Sequence, residues 1–531
     1  MKSLSRAAEV QAAGLDGRLD VPVSALRRAT WWASLIGLCV LLVVPLMVVD
    51  VPPLSDYPNH LARAFVLQAL PNDPVIATFF APRWAIIPNL AIDLIAPPLI
   101  RVLPVHDVGR LLIAASVLLP VLGTVAYSAA LGGRWWSLAV GLIAYNGTLL
   151  EGFLNFSLSI GLALLLAAAW LRWRESHPVR TILLSVMGAA GLFVCHLMGL
   201  LFFALLVASA EVSRVPRDRP TPRVLLRSAV SRGSVLLLIL AEPAGLYAAS
   251  PLGRLGGDAV FPSASQKLVH LLAPFTNYSL ALDVCTALVV VAFMFLCLLL
   301  RRGRMPGPAA IAACISLVAY LASPYAWKGT YQLDTRFAIM LGFMLFAGFV
   351  PLRWPVWLSH AAVAAVLLLF VARMALLTTA WAQHRADLAD LRQALVPVLP
   401  GQAVYVASVS PTDAPAYWAR APWPRHLSDG VQTDTHLGAL ALIERRAWWP
   451  FEFDIPSQQP IETRQPYRDL AVRIGDLPNQ ATLLKADLCG FDVVLLTQAD
   501  AAPDLPEQRF HLLVRAGFAA LYAITDCHPA Q

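Results

Sequence analysis

The stretch Trp31-Trp-Ala-Ser-Leu-Ile-Gly-Leu-Cys-Val-Leu-Leu-Val-Val-Pro-Leu-Met-Val-Val49 runs straight into Asp50-Val-Pro-Pro-Leu-Ser-Asp56-Tyr-Pro-Asn-His60-Leu-Ala-Arg63. The first part is close to the ~20 apolar residues a helix needs to cross a hydrocarbon core. The second part sets two carboxylates, a histidine and an arginine at the far mouth of that span. Ionisable groups at such a depth are costly and mark function by default. Outward from there the composition is uniform in character: 58% hydrophobic and 14% charged over 531 residues. That is more apolar surface than a soluble domain needs, so the chain reads as a polytopic membrane protein. The net charge of +7 comes from arginines scattered between apolar runs, a topology signal and not a nucleic-acid footprint.

The run at 31–49 has a long segment ahead of it and no small-residue cleavage site after it, so it reads as a retained anchor. Further apolar segments fall at 108–131, 135–150, 153–171, 180–195, 197–212, 232–250, 282–300, 307–323, 336–351 and 354–378. The joints between them alternate in charge. Lys2, Arg6, Arg18, Arg27 and Arg28 precede the first. Arg134, the group Arg172, Arg174 and Arg180, the group Arg214, Arg217, Arg219, Arg223, Arg227 and Arg232, the group Arg301, Arg302 and Arg304, and Arg353 mark others. Placing all of these in the cytoplasm gives about eleven crossings, with the N-terminus inside and the C-terminus outside. Residues 84–103 are apolar enough to cross, but a crossing there would reverse every later joint. Pro88, Asn89, Asp93, Pro97 and Pro98 suit a juxtamembrane helix lying at the interface. The run from Arg180 to Val212 is too long for one span and reads as a tight hairpin turning near Cys195-His196-Leu-Met-Gly199.

From about Thr379 the pattern changes. Trp381-Ala-Gln-His-Arg-Ala-Asp-Leu-Ala-Asp-Leu-Arg-Gln-Ala-Leu has helical apolar spacing, while Gln402-Ala-Val-Tyr-Val-Ala-Ser-Val and Phe491-Asp-Val-Val-Leu-Leu read as strands. The expected organisation is a cytoplasmic tail over 1–30, a transmembrane module over 31–378 and a small periplasmic α/β domain over 379–531. The fold class is therefore mainly α, a helical membrane bundle with a small outer α/β domain. Five of the seven cysteines (Cys39, Cys195, Cys285, Cys297 and Cys314) lie in or beside apolar runs; Cys489 and Cys527 lie in the polar C-terminal segment, where an oxidising compartment favours a disulfide. No Cys-x-x-Cys or His-rich spacing supports zinc.

The outer ends then collect an unusual set. The first loop offers Asp50, Asp56, His60 and Arg63; the joint Glu151-Gly-Phe-Leu-Asn155-Phe, the hairpin tip His196 and the loop Lys328-Gly-Thr-Tyr-Gln-Leu-Asp334-Thr-Arg336 add more. The loop from Ser250 to Asp283 carries Asp258, Lys267, His270, Asn277 and Tyr278. Each has an ordinary explanation: His196 as a satisfied polar residue between helices, Glu151 as a helix cap, Asp334 and Arg336 as partners of one another. Together, carboxylates, histidines and cations at one membrane level describe a pocket for an anionic lipid headgroup and an activated hydroxyl.

An acidic residue early in a long first outer loop, a juxtamembrane helix, many spans and a terminal outer domain resemble the GT-C glycosyltransferases, which include protein O-mannosyltransferases and the aminoarabinose transferases of lipid A. Asp56-Tyr-Pro-Asn-His-Leu-Ala-Arg63, Gly152-Phe-Leu-Asn-Phe156 and Asp334-Thr-Arg-Phe337 resemble a bacterial branch of such membrane proteins. The resemblance implies an inverting transfer from a polyprenyl-phosphate sugar to a glycan, lipid or protein acceptor at the outer face of the inner membrane. Asp56, with Asp50 as its rival, would take the acceptor's proton. Arg336, with Arg63 or Lys328, would hold the donor phosphate. His60, Glu151 and His196 would orient the acid, hold a divalent cation (Mg or Mn) or bind sugar hydroxyls, and Asn155 and Asp334 would complete the substrate site. The adjacent Asp-Glu pair of the O-mannosyltransferases is absent, so their acceptor chemistry does not carry over. A transporter or flippase of a lipid-linked or small anionic substrate is the main alternative, and a non-catalytic envelope assembly protein a further one. The lack of an internal repeat and the clustering of charge at one face count against transport.

Overall fold

Long runs of Leu, Val, Ala and Ile leave a backbone in hydrocarbon no hydrogen-bond partner but itself, and the chain meets this with helices. The computed structural model describes residues 23–215, 221–352, 354–410, 412–418, 423–475 and 477–529. Lys2, Arg6, Arg18, Arg217, Arg219 and Arg353 of the charge pattern lie outside the described residues. The chain divides into two compact units, residues 1–41 and 42–531. The first unit, as far as it is described, is the greater part of α1 (Val23–Val43), apolar along nearly all its length.

In the second unit the helices are α2 (Tyr57–Ala69), α3 (Ala91–Ile100), α4 (Val105–Ala130), α5 (Leu154–Trp173), α6 (Pro178–Cys195), α7 (Leu197–Ser213), α8 (Pro222–Ala249), α9 (Leu280–Leu299), α10 (Gly307–Ala322), α11 (Leu333–Ala347) and α12 (Val356–Leu395). Among the described residues seven helical stretches are long and apolar enough to cross a membrane: Arg27–Met47, α4, α5, α6, α8, α9 and α12. Helices α7, α10 and α11 are shorter.

Two expectations need correction. The segment 135–150 is not one continuous helix: a 3-10 helix, Trp136–Ile143, is followed by a separate short helix, Gly147–Leu150. The break is at Asn146, whose side chain accepts from the Leu149 amide at 3.2 Å and from the Thr148 hydroxyl at 2.8 Å, offering the backbone an alternative to the helical ladder. Nor is 84–103 a single juxtamembrane helix. Residues Phe80–Pro82 form a strand paired antiparallel with Ile461–Thr463, Asn89 takes φ 72°, and only α3 is helical, ending two residues after Pro98.

Small residues set the closest approaches. A Cβ on Gly161 of α5 would lie 2.4 Å from the Leu119 carbonyl carbon of α4, and one on Gly123 would lie 2.6 Å from the Gly161 oxygen. The two backbones therefore touch, the close packing that drives helix association in membranes. Residue numbers rise together along this contact, since Ser116 reaches Leu154 and Gly123 reaches Gly161, so α4 and α5 run parallel. Helix α6 returns antiparallel, bringing Cys195 back to Asn155 (3.4 Å). His196 alone, extended at φ −170°, separates α6 from α7. At the opposite end of these helices, buried Glu211 gathers Arg214 (2.7 Å), Arg232 (2.7 Å) and Arg174 (3.9 Å).

Helix α12 continues unbroken through residue 379, where composition shifts, to Leu395. Its last turns pack on a four-stranded sheet: β1 (Val404–Ser408) pairs parallel with β2 (Val493–Thr497), β2 antiparallel with β4 (Ala519–Ile524), and β4 antiparallel with β3 (Phe510–Ala516). Asp390 of α12 ties the two by accepting from the Phe518 amide at 2.9 Å. Cys489 and Cys527 are joined in a disulfide, Cα to Cα 4.8 Å.

Candidate functional site

Asp56 stands at the N-cap of α2 but spends no side-chain hydrogen bond on capping. Its position is set from behind. The Asp56 amide donates to the Glu151 carbonyl at 2.9 Å and the Ser55 amide to the Leu150 carbonyl at 3.2 Å. Gly152, at φ +96°, makes the contact possible, because a Cβ there would fall 2.8 Å from the Tyr57 nitrogen and 2.9 Å from that of Asp56. The first loop and the Glu151-Gly152-Phe153 joint are thus locked together, backbone to backbone. The Asp56 carboxylate faces His436, with Oδ1 to Nδ1 at 3.1 Å.

Glu151 is buried, and Gln332 donates to its carboxylate. Burial first, then the nearby charges of Asp429 and Asp56, pushes the Glu151 carboxyl up to about 8, against the weaker pull of Arg336. Arg336, one turn into α11, is half-buried over the rings of Phe153 (5.0 Å) and Phe156 (5.9 Å). Its Nε is enclosed without a partner, and among the described residues no carboxylate lies within 4.0 Å of its guanidinium. Glu151 and Asp56 are its electrostatic neighbours. His196 completes this side: its ring meets Phe156 edge-on at 5.5 Å and its Nδ1 accepts from the Met198 amide at 3.1 Å. Burial, then Arg336, holds His196 far below the usual imidazole range, so it is neutral. Asp56, Glu151, His196 and Arg336 are therefore brought together.

The other expected residues do different work. Asp50 bonds Arg392 at 2.5 Å, and Arg392 also reaches Glu444 (2.9 Å), which His106 approaches at 3.3 Å. Burial would raise the Asp50 carboxyl, but the Arg392 hydrogen bond and charge outweigh it and hold it below the usual range. His60 lies behind Asp56. Its Nδ1 accepts from Arg63 at 3.0 Å, while Arg63 makes a two-pronged, fully buried pair with Asp93 at 2.7 and 3.2 Å. Burial and the Arg63 charge push the His60 ring down to about 3. Arg63 is thus committed to Asp93 and not available as an open phosphate ligand. Asn155 pins the start of α3, accepting from the Ile92 amide (3.0 Å) and donating to the Asn89 carbonyl (2.8 Å). Asp334 does not pair with Arg336; it anchors His270 (2.8 Å) and Lys267 (3.2 Å). Lys328, at φ +50°, lies over the Trp327 ring at 5.1 Å.

Four groups near the site went unremarked in the sequence. Gln332 sits at φ +55° inside the quoted loop, and Asp429, His436 and Glu452 come from the C-terminal segment. Glu452 has both carboxylate oxygens enclosed without partners, beside Arg63, and burial holds it protonated, well above the usual range. Chain distance hid them: His436 and Ser55, in contact, are 381 residues apart. Among the described residues the one convergence of three or more potential metal donors is Asp487, Cys489, Cys527 and His528, where the two sulfurs are already bonded to each other. Among the described residues no such set converges at Asp56.

No family profile and no curated protein sequence matches the chain. Among solved structures, ArnT from Cupriavidus metallidurans bound to undecaprenyl phosphate is similar at 13% identity and a TM-score of 0.48, over 93% of this chain and 99% of that one. The apo state of the same protein is similar at 15% identity and a TM-score of 0.46, over 95% and 100%.

Proposed function

We propose that the chain is a membrane glycosyltransferase that moves a sugar from a polyprenyl-phosphate donor to an acceptor at the periplasmic face of a bacterial inner membrane, with inversion. The observation that carries the reading is Arg336, a guanidinium over two aromatic rings with an enclosed, unpartnered Nε and, among the described residues, no ion pair, in electrostatic reach of Asp56 and Glu151. An uncompensated charge in such a place is costly, and an anionic ligand relieves the cost. A phosphate there would gain charge-assisted hydrogen bonds that strengthen as the sugar leaves and negative charge builds. Glu151, held neutral at physiological pH, adds no competing charge and is free to bond a sugar hydroxyl. Asp56 supplies the negative charge on which removal of the acceptor's proton depends.

Undecaprenyl phosphate titrated against the purified full chain should raise its melting temperature by mass action. Arg336→Ala should weaken that binding about 10- to 100-fold, the worth of one lost charge-assisted bond, whereas Asp56→Asn should leave it intact. In a deletion strain, wild-type and Asp50→Asn genes should restore the parental surface glycan and Asp56→Asn should not, at equal protein level. An unchanged glycan in the deletion strain would overturn the transferase reading. Loss of activity with Asp50→Asn instead would move the essential carboxylate by six residues.

A further inference from the structure

His436 reaches the site from the C-terminal segment, just ahead of the 3-10 turn Leu437–Ala439. Its Nδ1 lies 3.1 Å from the Asp56 Oδ1 and 3.1 Å from the Ser55 carbonyl oxygen. A carbonyl oxygen only accepts, and so does an ionised carboxylate, so Nδ1 carries a proton, and in the neutral tautomer this selects Nε2 carries the lone pair. Nε2 has no hydrogen-bond partner among the described residues, yet it is not one of the enclosed, unpartnered polar atoms. It is therefore open to an incoming group. The ring plane is fixed by edge contacts with Phe453 at 5.2 Å and Trp449 at 6.4 Å. Among the described residues the charged and titratable groups around it are Asp56 and, behind Phe453, His60, itself held neutral by burial and then by Arg63.

We infer that Asp56 and His436 form a dyad in which His436 Nε2 receives the acceptor's proton and Asp56 is the positioning residue that fixes the tautomer. The inference rests on the transferase reading and assigns the base within it. In the step, an acceptor hydroxyl oxygen bonds to the sugar's anomeric carbon and its proton passes to Nε2. The bond from that carbon to the phosphate oxygen breaks, and its electron pair leaves with polyprenyl phosphate, held by Arg336. The imidazolium so formed is balanced by the Asp56 carboxylate, the division of labour of a hydrolase Asp-His pair. By ordinary chemistry an imidazole is better matched than a carboxylate to taking a hydroxyl proton near neutrality. The dyad also explains why Asp56 forgoes its capping bond.

Nitrogen NMR of the full chain with ¹⁵N-labelled histidine in nanodiscs reads the tautomer directly, the His436 signals being assigned by their loss in His436→Gln. A protonated Nδ1 with a bare Nε2, disturbed by Asp56→Asn, is expected; a protonated, neutral-ring Nε2 would overturn the inference. In the glycan assay His436→Gln should cut transfer about 10²–10⁴-fold, the usual size of general-base catalysis. His436→Ala should be partly restored in isolated membranes by added imidazole, which a purely structural role would not allow. Parental transfer by His436→Gln, with Asp56→Asn and Arg336→Ala dead, would sink the dyad and leave the transferase reading standing. If deletion of the gene changes no glycan, the transferase reading falls and the base assignment with it.

Discussion

At the scale of single residues, the same chemical type takes opposite states according to what surrounds it. Asp50 is ionised because Arg392 bonds it; Glu151 is protonated because burial and two neighbouring carboxylates outweigh the pull of Arg336. The raised carboxyl has a consequence for stability. Between the ordinary glutamate value of 4.5 and about 8, the folded chain holds a proton on Glu151 that the unfolded chain has released. The folded state binds more protons across that window, so stability falls as pH rises through it. Melting temperature in detergent should therefore decline from pH 5 to pH 8, and Glu151→Gln, which keeps the Gln332 contact without the ionisation, should flatten the decline. A slope unchanged by Glu151→Gln would show that the carboxyl is ionised in the fold. Sequence alone pointed to Asp56 and Arg336 because both stand at helix mouths, where polar side chains are conspicuous against apolar runs. It did not show the partners that Arg63 and Asp334 hold, because Asp93 on the one hand and Lys267 and His270 on the other lie in other segments.

At the scale of elements, the helices were legible wherever apolar length decided the matter, including the hairpin that turns on His196. The failures have local causes. Asn146 bonds its own backbone and breaks the third segment, and with Pro88 and Asn89 at φ 72° residues 83–90 are irregular, between the strand Phe80–Pro82 and α3. No hydropathy window registers either effect. One element carries the site more than any other, the turn at Gly152. Its φ of +96° is costly for residues with a side chain, and an added methyl would press on the Asp56 and Tyr57 nitrogens. Gly152→Ala should cost about 1–3 kcal/mol of stability. Because it pushes Asp56 away from His436, it should also reduce transfer by more than Gly161→Ala does. The latter insults the α4–α5 contact severely but lies a turn or more from the carboxylate. Chemical denaturation of both variants, compared with their surface-glycan output, checks the ordering; equal losses of transfer would show that Gly152 matters only for folding.

At the scale of the whole molecule, the helix directions make the charge pattern geometric. Helices α4 and α5 run parallel and α6 returns, so Glu151, Asn155 and His196 gather at one end while Arg174, Arg214 and Arg232 ring Glu211 at the other. The reading of the arginines as cytoplasmic then puts the whole candidate site on the outer face. What hydropathy could not anticipate is that this end of the helices is finished by the C-terminal segment: α12 crosses the expected boundary without a break, and His436 and Glu452 return to the first loop from it. A site assembled from both must have both on one side of the membrane. That requirement is testable at exposed positions away from the site. Glu175, 84% exposed in its side chain beside the arginine cluster, belongs inside; Asp258, exposed in the loop after α8, belongs outside. Cysteines placed singly at 175 and 258, in a chain retaining only the Cys489–Cys527 pair, should differ toward an impermeant thiol reagent on intact spheroplasts: 258 should label at once and 175 only after lysis. An exposed position in the C-terminal segment, Val472→Cys, should label with 258, since the segment bearing His436 must share its compartment. Labelling of 175 from outside would invert the topology, and labelling of 472 only after lysis would separate His436 from Asp56 by the width of the bilayer.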